Sequence, residues 1–92
     1  GHYPNVAQAR LLLRNGIPII YIERGGKGLL RLAEIAPPVF DAALAAIVAA
    51  VGDRRLPRLG IERIDGESIG GHELEAVLVE AGFERQPRRL VA

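Results

Sequence analysis

Along the chain, short β-branched and leucine-rich runs alternate with glycine and proline breaks, and two longer stretches carry apolar residues at helical spacing. Residues 17–32 organise the rest. Their left half, Ile17-Pro18-Ile19-Ile20-Tyr21-Ile22, is β-branched and aromatic; their right half returns to Leu29, Leu30 and Leu32. Between them lies Glu23-Arg24-Gly25-Gly26-Lys27-Gly28. Two apolar runs joined by glycines, which take positive φ without a Cβ clash, predict a β-hairpin with strands over about 17–24 and 28–32. Upstream, Asn15-Gly16 predicts a type I′ turn linking a first strand at about 9–14 to the second. The second strand is apolar on both alternating faces, which predicts a central strand covered on both sides. Pro18 removes a ladder donor and belongs near a strand start or a bulge.

Ala36-Pro37-Pro38 ends the sheet pattern and opens a helix over 39–51, with Phe40, Leu44, Ile47, Val48 and Val51 at helical spacing and alanines elsewhere. Asp41 is expected in its first turn and Gly52 at its C-cap. A helix this apolar all round is expected to be largely buried. Residues 59–64 predict a fourth strand, and Asp65-Gly66-Glu67 a turn. Residues 72–81 predict a second helix with Leu74, Val77, Leu78 and Ala81 on one face. Gly82 is its C′ glycine, and Phe83 folds back onto its last turn. Residues 83–85 and 88–91 flank Gln86-Pro87 as a last strand or a final hairpin. The fold class is therefore α+β: a small antiparallel sheet with two packed helices, in the order βββαβαβ.

Ninety-two residues bound this to one small domain, 1–92, with 1–8 as a flexible lead-in. The start at Gly1-His2 and the absence of Met suggest an excerpt of a longer protein, with Gly1-His2 left by a processed tag or by an internal cut. Low aromatic content, 4%, makes the core aliphatic. The absence of Cys excludes disulfides and thiolate metal sites and fits a reducing, cytoplasmic setting. A net charge of +1 creates no strong long-range field, and the most apolar run is short of the roughly 20 residues that cross a bilayer.

Little chemistry is written in these residues. Gly25-Gly26-Lys27-Gly28 has no Ser or Thr after Lys27 and precedes a strand, so it fails the P-loop pattern and reads as a turn exposing Lys27. Arg54, Arg55 and Arg58 share one loop, and Arg85, Arg88 and Arg89 lie near the C-terminus. A solvated basic face is the ordinary reading. If the fourth and last strands are neighbours, however, the clusters join into a patch suited to nucleic-acid phosphates. His2 and His72 lack metal-ligand spacing, Asp65 and Glu67 flank a turn, and Ser68, Tyr3 and Tyr21 have no triad partners in view.

Three stretches together resemble a family. Tyr21-Ile22-Glu23-Arg24-Gly25-Gly26-Lys27-Gly28-Leu29-Leu30, Arg58-Leu59-Gly60-Ile61-Glu62-Arg63-Ile64-Asp65-Gly66-Glu67, and Leu74 to Phe83 with Pro87-Arg88 are similar, in order and spacing, to the C-terminal end of Lhr, the large helicase-related proteins of bacteria. His72-Glu73 departs from the family's Ser-Pro. The resemblance implies a C-terminal accessory domain of a superfamily 2 ATP-dependent DNA helicase acting in DNA repair. ATP and Mg would belong to the parent's helicase core, with no cofactor, metal or catalytic residue in this piece. It implies the parent's other domains as partners, together with single-stranded DNA held by Lys27, Arg54, Arg55, Arg58, Arg88 and Arg89. The uracil-removing activity attached to that region of the family finds no carboxylate side chain in residues 88–92 to carry it. A second expectation is a structural interaction module in which Phe40, Leu44, Ile47 and Val51 dock the first helix to the parent chain or to a second copy.

Overall fold

The computed structural model describes residues 5–6, 9–14, 17–32 and 34–92. The chain runs β1 (Asn5–Val6), β2 (Ala9–Arg14), β3 (Ile17–Ile22), a 3₁₀ turn at Arg24–Gly26, β4 (Gly28–Arg31), α1 (Pro37–Gly52), β5 (Gly60–Ile61), β6 (Arg63–Ile64), β7 (Glu67–Ser68), α2 (Glu75–Ala81), β8 (Glu84–Gln86) and β9 (Arg89–Val91). The class is α+β with two helices, as the pattern predicts. The sheet differs from the expectation: the described residues form two sheets, ordered β1-β2-β3-β4-β6-β7 and β5-β9-β8.

The central meander forms as expected, with β3 between β2 and β4 and antiparallel to both. Leu12 pairs with Ile20 and Leu13 with Pro18, which leaves Ile19 as the extra residue of a bulge. Pro18 therefore sits both near the strand start and beside a bulge, where its missing N–H breaks no ladder. Ile19, Ile20 and Ile22 are buried, whereas Ile17 is 62% exposed, so the two-sided cover begins only after the bulge. The Asn15-Gly16 turn lies outside the described residues, but Arg14 and Ile17 on either side of it pair. Within the lead-in, Asn5–Val6 pairs with β2 as a short strand; residues 1–4 and 7–8, including the tag expectation at 1–2, lie outside the described residues.

A purely antiparallel sheet is corrected at one place. β4 and β6 pair in parallel, Gly28 with Arg63 and Leu29 with Ile64. The helical crossover through α1 supplies the long connection that a parallel pair requires. The predicted strand at 59–64 is likewise split. Gly60–Ile61 pairs with β9 in the small sheet, Arg63–Ile64 pairs with β4 and β7, and Glu62 alone separates them. Asp65 and Gly66 close β6 on β7 with φ of 53° and 81°, the two positive angles of a type I′ turn.

Helix α1 starts two residues before the expected boundary, with Pro37 and Pro38 in its first two positions, so Asp41 falls beyond the first turn. It buries Phe40, Ala43, Leu44, Ile47 and Ala50. Its outer face is exposed at Ala42, Ala45, Ala46 and Ala49, so the helix is covered on one side rather than all round. Gly52 closes the helix instead of capping it. The cap is a Schellman pair in which Arg54 N–H donates to Val51 C=O (3.1 Å) and Arg55 N–H to Ala50 C=O (2.8 Å). Arg54, at φ 62°, fills the left-handed position that usually takes glycine.

Helix α2 begins at Glu75, later than expected, because residues 72–74 form a turn held by His72. Its end matches the prediction. Gly82 N–H donates to Val79 C=O and Phe83 N–H to Leu78 C=O (both 3.1 Å), and Phe83 is buried. A Cβ at Gly82 would meet Val48 Cγ1 at 3.0 Å, so this glycine also lets the two helices approach. One core unites both sheets and both helices, with Ile20, Leu44, Ile61, Ile64, Leu78 and Leu90 among its fully buried side chains. No described helix is long and apolar enough to cross a membrane.

Candidate nucleic-acid interface

The hairpin after β3 closes with Glu23 N–H donating to Gly28 C=O (2.8 Å) and Gly26 N–H to Glu23 C=O (2.9 Å). Gly25 and Gly26 take φ of 84° and 71°, the left-handed angles for which glycine is suited. Gly26 has a second reason to be glycine: a Cβ there would lie 3.0 Å from Leu59 Cδ2, so the turn rests directly on the segment that follows α1. The Lys27 carbonyl then accepts two backbone donors, Glu62 N–H at 2.7 Å and Arg63 N–H at 3.1 Å. These contacts tie the turn to the point where the chain leaves the small sheet for the large one.

The small sheet adds the third wall. β9 pairs with β5, Gly60 opposite Val91 and Ile61 opposite Leu90, and Leu59 and Ala92 exchange backbone hydrogen bonds beyond that pair. Arg89 lies across Gly60, where a Cβ would be 3.3 Å from its Cδ. Its Nε donates to Gln86 Oε1 (3.1 Å) across the β8–β9 turn, which holds the guanidinium in one orientation. Pro87 and then Arg88, at φ 66°, make that turn, a sequence in keeping with a type II geometry.

Together these segments enclose a cleft of about 360 Å³ lined by Gly25, Lys27, Arg58, Leu59, Gly60, Glu62, Gln86, Arg89 and Val91. Three of the six sequence-predicted cations, Lys27, Arg58 and Arg89, therefore share one site. Among the described side chains, which leave out those of residues 1–16, 24 and 33, none of the three has an ion-pair partner, and neither does Glu62. Arg54, Arg55 and Arg88 do not line it. Arg54 caps α1, Arg55 pairs with Asp53 (3.2 Å) and Arg88 occupies the β8–β9 turn. The two basic clusters thus meet through one member each, with Lys27 joining from the glycine turn.

Gln86, Gly60 and Glu62 were not foreseen as parts of the site. Gln86 is separated from Arg89 by a two-residue turn, a spacing that could have suggested their contact. Glu62 and Gly60 became legible only once β5 paired with β9.

The remaining polar groups are taken up by structure. Asp65 accepts from Arg31 through the backbone N–H (2.8 Å) and Nε (2.6 Å), and the same guanidinium lies 5.9 Å from the centre of the Phe40 ring. Glu67 instead bonds His72 Nε2 (3.1 Å), so Asp65 and Glu67 do not act as a carboxylate pair. His72 Nδ1 accepts the Leu74 N–H (3.0 Å), which makes the ring a cap for the turn before α2 and gives Nε2 the hydrogen. The larger hollow, about 760 Å³ and bounded by Arg31, Leu32, Glu34, Ile35, Ala36 and Asp65, has its Arg31 and Asp65 neutralised by each other. Among the described residues no group of three His, Asp or Glu could hold a metal ion. The chain matches no family model and no curated protein with which it was compared.

Proposed function

We propose that this chain is a non-catalytic accessory module of an Lhr-like helicase, whose cleft holds the backbone of single-stranded nucleic acid. One observation carries the binding role: Lys27, Arg58 and Arg89, drawn from three separate segments, line one cleft without carboxylate partners among the described residues. Cations left unneutralised at a concave surface exchange counterions for phosphates, a sequence-blind and salt-sensitive mode of binding. The parent protein is supplied by the three-motif resemblance, which also assigns ATP and Mg to the parent's core and gives the module its context in DNA repair. Arg54, Arg55 and Arg88 extend the contacts outside the cleft, and Arg55 does so after releasing Asp53.

Titration of labelled single-stranded DNA by fluorescence anisotropy tests this. The three cleft contacts, at roughly 0.7 each, contribute about −2 to the log–log salt slope. Replacing Lys27, Arg58 and Arg89 together by alanine should lower the slope by about that amount and weaken binding sharply. No binding at low salt removes the nucleic-acid role.

A structural role has one observation in its favour, the exposed alanine face of α1. Phe40, Leu44 and Ile47 cannot provide that contact, because they are buried in the module's own core. Docking would use Ala42, Ala45, Ala46 and Ala49. Sedimentation of the isolated chain checks the self-association form of this reading: a monomer that binds DNA rejects it, and an oligomer that ignores DNA favours it.

A further inference from the structure

We infer that the cleft is shaped for a ribose phosphate: Glu62 accepts a hydrogen bond from a ribose 2′-hydroxyl while Lys27, Arg58 and Arg89 hold the adjoining phosphates, so RNA binds in preference to DNA. The inference rests on the nucleic-acid reading above and adds the chemistry of the sugar. Its starting point is Glu62, the one carboxylate among the described residues that line the cleft, beside three cations. A site for phosphate alone gains nothing from Glu62, whose charge repels the ligand.

The backbone of Glu62 is nevertheless fixed. It is half-buried, its N–H donates to Lys27 C=O (2.7 Å), and its C=O accepts the Ile69 N–H (2.9 Å). An ionised carboxylate only accepts hydrogen bonds, and none of the described side chains, which leave out those of residues 1–16, 24 and 33, donates to this one. Its oxygens are open to solvent, so a donor on a bound ligand can take the place of water there.

Two kinds of donor occur on a nucleic-acid strand, base amino or imino groups and the ribose hydroxyl. Among the described residues no aromatic side chain lines the cleft, so they offer no stacking platform on which a base would be held. The cations engage the sugar–phosphate chain, and the donor that adjoins every phosphate of that chain is the 2′-hydroxyl. It is also the group by which a protein distinguishes RNA from DNA.

Anisotropy titrations of the full chain with equal-length labelled oligomers of uridine, deoxyuridine and 2′-O-methyluridine test the inference. The ribose strand is expected to bind about tenfold tighter than the deoxy strand, the worth of one hydrogen bond to a charged group. The 2′-O-methyl strand keeps the ribose-type sugar but cannot donate, and should fall to the deoxy level. Glu62→Leu, which leaves no acceptor, should bring the ribose and deoxy affinities together without abolishing either. Equal wild-type binding of ribose and deoxy strands overturns this inference and leaves the proposed function standing. Methylated binding equal to ribose binding also overturns it, since the preference would then come from sugar shape. If no strand binds, both readings fall. The methylated strand needs no mutation, so misfolding of Glu62→Leu cannot decide the outcome.

Discussion

The carbonyl of Lys27 accepts the backbone N–H of Glu62 at 2.7 Å, joining the glycine turn of the central hairpin to the one residue that separates β5 from β6. This bond holds the Lys27 backbone beside the carboxylate-bearing residue of the same cleft. It also depends on the turn coming close, which Gly26 permits.

Gly26→Ala should therefore destabilise the fold more than Gly25→Ala. Both positions have positive φ, costing a non-glycine residue roughly 1–2 kcal/mol. Only at Gly26 does the new methyl group meet Leu59, while nothing lies within 4 Å at Gly25. Thermal unfolding followed by circular dichroism is expected to show a fall of about 4–8 °C per kcal/mol for a domain of this size, larger for Gly26→Ala.

Gly60→Ala should weaken nucleic-acid binding while leaving the melting temperature nearly unchanged. Gly60 does not need positive φ, but its absent Cβ leaves the surface on which Arg89 lies. The affinity loss should be smaller than that of Arg89→Ala, because the displaced guanidinium keeps its charge. Arg89→Lys should also bind less tightly than wild type, since Lys lacks the planar fork held by Gln86. Anisotropy titrations with single-stranded DNA, run beside thermal melts, check both.

The two helix ends give opposite expectations. Gly82→Ala should cost about 2 kcal/mol, from strain at φ 121° and from the approach to Val48. Arg54→Gly should stabilise by up to about 1 kcal/mol, since it relieves a left-handed non-glycine residue at the same point of the same motif. Urea denaturation of the two variants measures both, and a destabilised Arg54→Gly would show that the Arg54 side chain contributes more than its backbone costs.

His72→Ala should cost about 1 kcal/mol through loss of the acceptor for Leu74 N–H, and His72→Asn should recover most of it. Asp65→Ala should cost about 1–2 kcal/mol, because it removes both the Arg31 contacts and a residue tolerant of the left-handed turn. Asp65→Asn separates the two by keeping the turn preference and losing the charge. Raising salt should narrow the gap between wild type and Asp65→Asn, because the pair is partly exposed.

Local interactions account for what was legible in the sequence. The glycine hairpin, the Asp65-Gly66 turn, the Gly82-Phe83 helix end and the existence of two helices all depend on neighbours a few residues apart, so their residue types carry the signal. Gly52 misled because a Schellman cap is defined by which residue takes positive φ, and here Arg54 accepts that strain. Asp41 misled by proximity to prolines that themselves proved helical.

The cleft belongs to the other category. Lys27, Arg58 and Arg89 were each visible as exposed cations, but nothing local distinguishes them from Arg54, Arg55 and Arg88. What separates the two sets is the parallel pairing of β4 with β6 and the antiparallel pairing of β5 with β9. Those pairings place distant segments side by side through backbone hydrogen bonds that any residue except proline can make on both sides, so side-chain pattern specifies them weakly. By itself the sequence determined the turns, the helices and the α+β class. Tertiary structure decided which cations face one another, and put Glu62 among them.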